Sequence, residues 1–285
     1  MTYREICEAF TKSGIESAEW DALLLIEHFC KVSAAEVRTT PDKSYTAPAL
    51  LSAVEQRLTR RPLQYILGSW QFYRQTYTVN EHCLVPRSDT EILVEEAIRR
   101  LPQNARFADL CTGSGCIAVS VLAERPDTTA LAVEKFSETL SLAKKNALQN
   151  GVGERFTPLL GDVLTKDVYQ ALPPLDAILS NPPYIATREL SALSAEVQAE
   201  PVAALDGGED GLLFYRAILA HATPLLSDCG FLLFEIGYDQ GEAVCRLGRE
   251  SGFEETGIIK DLSGNDRVVA LSHLHRSLQR KDKDH

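Results

Sequence analysis

Arg106-Phe107-Ala108-Asp109-Leu110-Cys111-Thr112-Gly113-Ser114-Gly115 is a short apolar run that breaks into a glycine-containing turn, and a helical pattern follows over 115–125. Glycines at such a junction let the backbone approach a ligand, and the helix that starts there offers N–H groups with no intrahelical partner. The alternation continues downstream. Ala130-Leu131-Ala132-Val133 runs into Glu134, and a helix over 137–150 stops at Gly151. Further strands are expected near 156–160, 175–180, 230–237, 255–261 and 267–272, with helices near 211–223 and 240–251. A helix over about 89–100 precedes the first strand. Strands alternating with helices of this length predict βαβ units and a parallel sheet covered on both faces, an α/β fold. Only Ser263-Gly264-Asn265 separates the last two apolar runs, too short for a parallel crossover, so the sheet is expected to end in an antiparallel hairpin.

Upstream the periodicity differs. Residues 2 to about 62 read as helices, with Ala18, Leu23, Leu24, Ile26, Phe29 and Cys30 at near-helical spacing and Pro41 and Pro48 punctuating the connection. Arg57, Arg60 and Arg61 gather at a helix end and are expected to be solvated. From Tyr65 to Val85 aromatic and β-branched residues predict a β-hairpin, with Asn80-Glu81 as its turn. The expected organisation is a helical domain at 1–64, a hairpin linker at 65–85, the α/β domain at 86–275 and a solvated tail at 276–285.

At 45% hydrophobic and 24% charged, the 285-residue chain has a globular composition that can bury a sizeable core, and disorder is excluded. The formal charge is −11. Residues 1–85 carry 9 basic and 10 acidic groups, whereas 86–285 carry 20 and 30, so nearly all of the excess acid lies on the α/β part. A chain that wraps nucleic acid shows a basic footprint, because phosphate neutralisation supplies most non-specific affinity; stable nucleic-acid binding is therefore not expected. No apolar stretch approaches the ~18–20 residues of a membrane helix, and MTYREICEAF lacks the pattern of a secretory signal. The seven cysteines form no CxxC pair and are odd in number, pointing to a reducing, cytoplasmic compartment without a zinc site.

The turn at 111–115 lacks the GxGxxG spacing of a dinucleotide fingerprint and the lysine of a P-loop. Its complement is Glu134, at the carboxyl end of the next strand, where two acceptor oxygens suit the hydroxyls of a ribose. Turn and acid together predict a nucleoside-containing cofactor. Asp162, in Gly161-Asp162-Val163, follows the strand after that and can reach an adenine amino group.

Ser180-Asn181-Pro182-Pro183-Tyr184 closes the strand Asp176-Ala177-Ile178-Leu179. Two prolines make the turn stiff, and the carboxyl end of a central strand is where open α/β sheets bind ligands. The chemistry it suits is orienting a planar amino group: the Asn181 side-chain oxygen and the Pro182 carbonyl each accept one N–H, while Tyr184 offers an aromatic face.

Asp-Leu-x-Thr-Gly-Ser-Gly, Glu134 and Asn-Pro-Pro-Tyr together resemble the class I S-adenosylmethionine methyltransferases that act on exocyclic or amide nitrogen. Over nearly its whole length the chain resembles their HemK-type peptide chain release factor glutamine N5-methyltransferases. Arg61-Pro62-Leu63-Gln64-Tyr65-Ile66-Leu67-Gly68, Leu84-Val85-Pro86-Arg87-Ser88-Asp89-Thr90-Glu91, Glu200-Pro201, Gly207-Gly208-Glu209-Asp210-Gly211, the run 230–237 and Asn265-Asp266-Arg267-Val268 carry the likeness. The resemblance implies a Rossmann-like seven-stranded methyltransferase sheet with its last strand antiparallel and a small helical N-terminal domain. It implies S-adenosylmethionine as cofactor, contacted by Cys111, Thr112, Gly113, Ser114, Gly115, Glu134, Asp162, Val163 and Asn181, with no metal. Asn181, Pro182, Pro183, Tyr184 and Arg87 would hold the glutamine amide, with Asn181, Pro182 and Tyr184 catalytic. The implied substrate is the Gly-Gly-Gln glutamine of a release factor. Methylation of a ribosomal-protein glutamine and amino methylation of adenine or cytosine remain as alternatives. Two departures stand out. Cys111 replaces the family's first turn glycine, which is compatible with a negative φ there, and Val163 occupies a position often aromatic in relatives.

Overall fold

A computed structural model describes residues 1–274, so the expected tail at 276–285 lies outside the described residues. The N-terminal part is helical: α1 (Tyr3–Lys12), α2 (Ala18–Cys30), α3 (Ala34–Thr39), α4 (Pro48–Leu58) and α5 (Leu63–Leu67). Thr2 and Glu5 form a reciprocal capping box at the start of α1, and Pro48 occupies the first turn of α4, where no donor is lost. Ile6, Phe10, Leu23, Leu25, Ile26 and Leu50 are at most 1% exposed and form the centre of this part. Each such side chain contributes about 1.5–3 kcal/mol by leaving water.

The hairpin differs from expectation. Leu63–Leu67 is helical, and the strands are β1 (Ser69–Phe72) and β2 (Gln75–Thr78), with Phe72 paired to Gln75. The turn is therefore Tyr73-Arg74, and Asn80-Glu81 lies in a later turn closed by Cys83 N–H on the Asn80 carbonyl at 3.2 Å. Tyr73 takes a φ of 55° without any turn-forming sequence because its N–H is anchored 2.8 Å from the Glu91 carboxylate. That long-range anchor overrides local preference.

The larger part runs α6 (Glu91–Arg100), β3 (Arg106–Leu110), α7 (Cys116–Glu124), β4 (Thr129–Glu134), α8 (Ser137–Gln149), β5 (Phe156–Leu160) and α9 (Lys166–Gln170). It continues through β6 (Leu175–Ser180), α10 (Ala195–Gln198), α11 (Leu213–Ala222), β7 (Leu226–Glu235), α12 (Gly241–Glu250), β8 (Phe253–Lys260) and β9 (Asp266–Leu274). The seven strands order as β5-β4-β3-β6-β7-β9-β8. All neighbours from β5 to β7 are parallel, while β9 inserts antiparallel between β7 and β8. Alternation divides the core. Ala177, Leu179, Phe231 and Leu233 face the layer that holds α6, α7 and α8, whereas Ile178, Leu232 and Phe234 face that of α11 and α12. Strand order reverses beside β3, between β4 and β6, where a parallel sheet opens a crevice at its carboxyl edge.

Of the three arginines at the end of α4, Arg57 and Arg60 are not solvated as expected. Arg57, 3% exposed, donates to Asp21 at 2.7 Å and to Glu196 at 2.9 Å, and Arg60 holds the other Glu196 oxygen at 2.6 Å. These ion pairs join the helical part to α10. Arg61 pairs with Glu81 at 3.3 Å. Among the described residues no helix is long and apolar enough to cross a membrane.

Candidate active site

At the carboxyl edge of the sheet lies a cavity of about 570 Å³. Its floor is the turn between β3 and α7. Cys111, Gly113 and Gly115 all take positive φ, at 63°, 56° and 81°. The condition under which Cys111 would replace glycine without strain is thus not met: an L residue there costs roughly 1–2 kcal/mol, and the surrounding structure must impose it. Two contacts do so. Thr112 N–H bonds to the Val133 carbonyl at 3.0 Å, and the buried Asp109 carboxyl takes the Thr112 hydroxyl at 2.6 Å and Ala118 N–H at 3.2 Å. Burial pushes the Asp109 pKa up to about 7, against the pull of those two donors.

Glu134 ends β4 and is 7% exposed. One oxygen accepts Gly113 N–H at 3.1 Å and the other accepts Lys135 and Phe136 N–H at 2.9 and 3.1 Å. Burial raises its pKa and the three N–H groups oppose that. Asp162 pairs with Lys135 at 2.9 Å and accepts Leu164 N–H at 2.9 Å. Burial acts upward on Asp162, but Lys135 and that N–H outweigh it and hold its pKa below the usual value. Val163 is buried, and its carbonyl accepts the Tyr169 hydroxyl at 2.7 Å.

Across the cavity Asn181 leaves the end of β6 and donates its Nδ2 to the Thr90 hydroxyl at 3.3 Å. The wall contains Cys111, Thr112, Gly113, Ser114, Glu134, Asp162, Val163, Asn181, Pro183 and Arg87. Gly115, Pro182 and Tyr184 are not among the lining residues. Gly115 packs against Ala143, and Tyr184 packs on the α11–α12 side of the core. The Tyr184 carbonyl accepts Gln240 Nε2 at 2.9 Å, and Ile185 next to it bridges in parallel to Asp206. Gly207 and Gly211 lie directly against this backbone.

Several residues in and around the wall were not singled out as site residues from sequence. Val202, Ala203 and Ala204 close one side, Phe136 and Phe214 are apolar flanks, and His82 through Pro86 complete the rim. Glu200, its side chain 2% exposed, receives Val85 N–H at 2.8 Å and also the Arg87 guanidinium. Thr90 and Glu200 fall inside segments that carry the family resemblance, which was the one available signal. The pairing of Glu200 with Arg87 spans 113 positions and leaves no local trace.

The residues fit S-adenosylmethionine. An added Cβ at Gly113 would meet nothing within 4 Å, the Ser114 hydroxyl is buried without a hydrogen-bond partner, and the Glu134 carboxylate accepts Gly113 N–H. An open backbone, an unsatisfied hydroxyl and a buried acid are what a nucleoside with a cationic sulfonium requires.

Sheet order, glycine turn, acid one strand away and Asn-Pro-Pro-Tyr at the next strand define an S-adenosylmethionine-dependent methyltransferase. Residues 2–68 match the PrmC N-terminal domain family and residues 88–214 the methyltransferase small domain family. With 37% identity over 263 residues, 90% of each chain, to the release factor glutamine methyltransferase of Caulobacter vibrioides, this chain belongs to the release factor glutamine methyltransferase family. The Geobacter sulfurreducens relative of the same name is 38% identical over 268 residues, again 90% of each. A solved structure of the release factor-specific protein-(glutamine-N5) methyltransferase from Alicyclobacillus acidocaldarius is 34% identical, covering 70% of this chain and 100% of that one, with a TM-score of 0.43.

Proposed function

We propose that the cavity methylates the side-chain amide nitrogen of the glutamine in the Gly-Gly-Gln motif of peptide chain release factors, with Asn181 as the residue that orients the amide. The observation that carries this is the Asn181–Thr90 bond. With Nδ2 committed to Thr90, the Asn181 Oδ1 is left as acceptor at the cavity wall. It takes one N–H of the substrate amide, and the Pro182 carbonyl takes the other.

S-adenosylmethionine supplies an electrophilic methyl group on a sulfonium, held by the turn at 111–115, with Glu134 on the ribose and Asp162 and Val163 at the adenine. An amide nitrogen is a weak nucleophile because its lone pair is delocalised into the carbonyl. Holding the nitrogen in line at near-attack distance supplies several kcal/mol of the barrier, up to about 7–11 in well-oriented systems. Acceptors on both N–H groups stabilise the positive charge that develops on nitrogen. Arg87, fixed by Glu200, borders the substrate mouth. The helical domain at 1–64, tied to α10 through Glu196, docks the body of the partner.

The test is single-turnover transfer of labelled methyl to a release factor, to its Gln-substituted variant and to unmethylated DNA. Label on the release factor alone, abolished in the Gln variant and slowed far more than cofactor binding by Asn181→Ala, supports the reading. Label on DNA and none on the release factor refutes it.

A further inference from the structure

Continuing the β6–β7 register one step past the Ser180–Phe234 pair places Asn181 beside Glu235, the last residue of β7. Both have the parity of Leu179 and Leu233, so both fall on the α6 side of the sheet, where Thr90 precedes that helix. Glu235 is 1% exposed and Thr90 2% exposed, and Oε2 of Glu235 has no hydrogen-bond partner. The Thr90 hydroxyl and the Asn181 amide are near enough to the Glu235 carboxyl to pull its pKa down against burial.

Resting on the Asn181 reading above, we infer that Glu235 is a positioning residue, which acts through Thr90 to fix the Asn181 amide with Oδ1 toward the substrate. A carboxylate only accepts hydrogen bonds, so the groups facing it must donate. Thr90 can accept from Asn181 Nδ2 at 3.3 Å and pass its own proton toward Glu235. The opposite amide orientation would set Oδ1 against two acceptors in a buried site, where an unpaired polar group costs most. The titratable groups around Glu235 come from its neighbouring elements: Asp89 before α6, Tyr184 after β6, Tyr215 on α11 and Arg267 on β9, of which the two phenols are neutral. Arg267 also pairs with Asp89 at 3.3 Å and Asp261 at 3.2 Å, so its charge is shared. Burial dominates, and the Glu235 pKa is pushed up to about 7.

The experiment compares Thr90→Val, Thr90→Ser, Glu235→Gln and Asn181→Ala in the full chain with a release factor substrate. Measured are kcat, KM, cofactor affinity and melting temperature. Loss of the orienting contact is expected to lower kcat about tenfold or more in Thr90→Val and Glu235→Gln, with KM and cofactor affinity within about twofold, as misorientation of a reacting group does. Thr90→Ser, which keeps the hydroxyl, is expected to recover most of the loss. Thr90→Val at wild-type kcat, or Thr90→Ser as slow as Thr90→Val, overturns the inference. A folded Glu235→Gln at wild-type kcat overturns it as well; where that variant fails to fold, the Thr90 pair still tests the contact through which Glu235 acts. If Asn181→Ala is itself fully active, the reading of the turn fails and this inference with it. If Asn181→Ala is slow and Thr90→Val is not, only this inference falls.

Discussion

Gly207 offers the most direct perturbation of the Asn-Pro-Pro-Tyr turn from outside the cavity. A Cβ added there would lie 2.7 Å from Tyr184 Cα, 2.9 Å from the Pro183 carbonyl oxygen and 2.9 Å from Gly211 Cα. All three neighbours are backbone, so none can swing aside as a side chain would. Restoring an ordinary contact near 3.4 Å to Tyr184 requires the turn to retreat by about 0.7 Å from its 2.7 Å distance. Overpacking of this kind costs about 1–3 kcal/mol, whereas a misplacement near 1 Å at a reacting centre costs about a hundredfold in rate. Gly207→Ala is thus expected to fold, to melt a few degrees lower and to slow methyl transfer by about ten- to a hundredfold. Cofactor affinity should hold, since Gly207 is not among the cofactor-turn residues. Gly257→Ala, on β8 with nothing within 4 Å of the added carbon, is the control and should change neither rate nor melting. Rapid-quench single-turnover kinetics at saturating cofactor, with calorimetric titration of cofactor binding, separates the two effects. A folded Gly207→Ala protein whose single-turnover rate stays within about twofold of wild type would show that the position of Pro183 and Tyr184 does not set the rate, against the expected loss.

Two predictions concern stability. Asp109 and Glu235 both have folded pKa values near 7, raised by burial, against about 3.9 and 4.3 in an unfolded chain. For an acid with a raised folded pKa, the penalty is absent below the unfolded value and complete above the folded one, so the melting temperature should climb as pH falls from about 8 to 5.5. Glu196 and Asp210, held down at about 2 by their arginines, oppose this only at lower pH. Scanning calorimetry across that range, with Asp109→Asn flattening the slope, is the check; a melting temperature that rises toward pH 8 would contradict the assignment. Asn146, 0% exposed, joins α8 to the hairpin and to the cofactor turn through Thr78 N–H at 2.8 Å, the Thr78 carbonyl at 3.0 Å and the Ser114 carbonyl at 2.8 Å. Asn146→Ala should cost about 3–5 kcal/mol in urea unfolding, since buried groups left unpaired cost about 1–3 kcal/mol each, and should weaken cofactor binding as well. A loss below about 1 kcal/mol would mean water replaces all three bonds.

The parts legible in the sequence were those whose cause is local. Phe107 and Ala108, Ile178 and Leu179, Leu232 and Leu233 are buried on opposite faces of a parallel sheet, so they read as adjacent apolar residues. Glycine and proline marked the two turns for the reason that they limit or free φ. The hairpin turn failed this way because Tyr73 is held in the left-handed region by Glu91, 18 positions away. The same holds for Arg57, whose partners lie 36 and 139 positions off, and for Glu200. A charged residue bound for burial looks identical in sequence to one bound for solvent. Composition tells neither apart, and only the partner does.

That distinction changes what the acidic excess of residues 86–285 means. Asp109, Glu134, Glu200 and Glu235 are each at most 7% exposed, and Glu134 and Glu200 lie at or directly behind the cavity wall. Part of the negative charge is therefore internal. Its effect on an approaching phosphate backbone is weaker than the net charge suggests, but its effect inside the cavity is stronger, because the low-dielectric surroundings screen it less. A cationic sulfonium and a nitrogen gaining positive charge both benefit from such a wall, whereas an anionic substrate placed there would not. Glu200 is partly neutralised by Arg87, and Asp162 by Lys135, while Glu134 beside the glycine turn meets only backbone N–H groups. The carboxylate without a cationic partner thus stands at the glycine turn, and the one behind Arg87 is paired. That arrangement suits a positively charged donor at the glycine turn and a neutral amide beside Arg87.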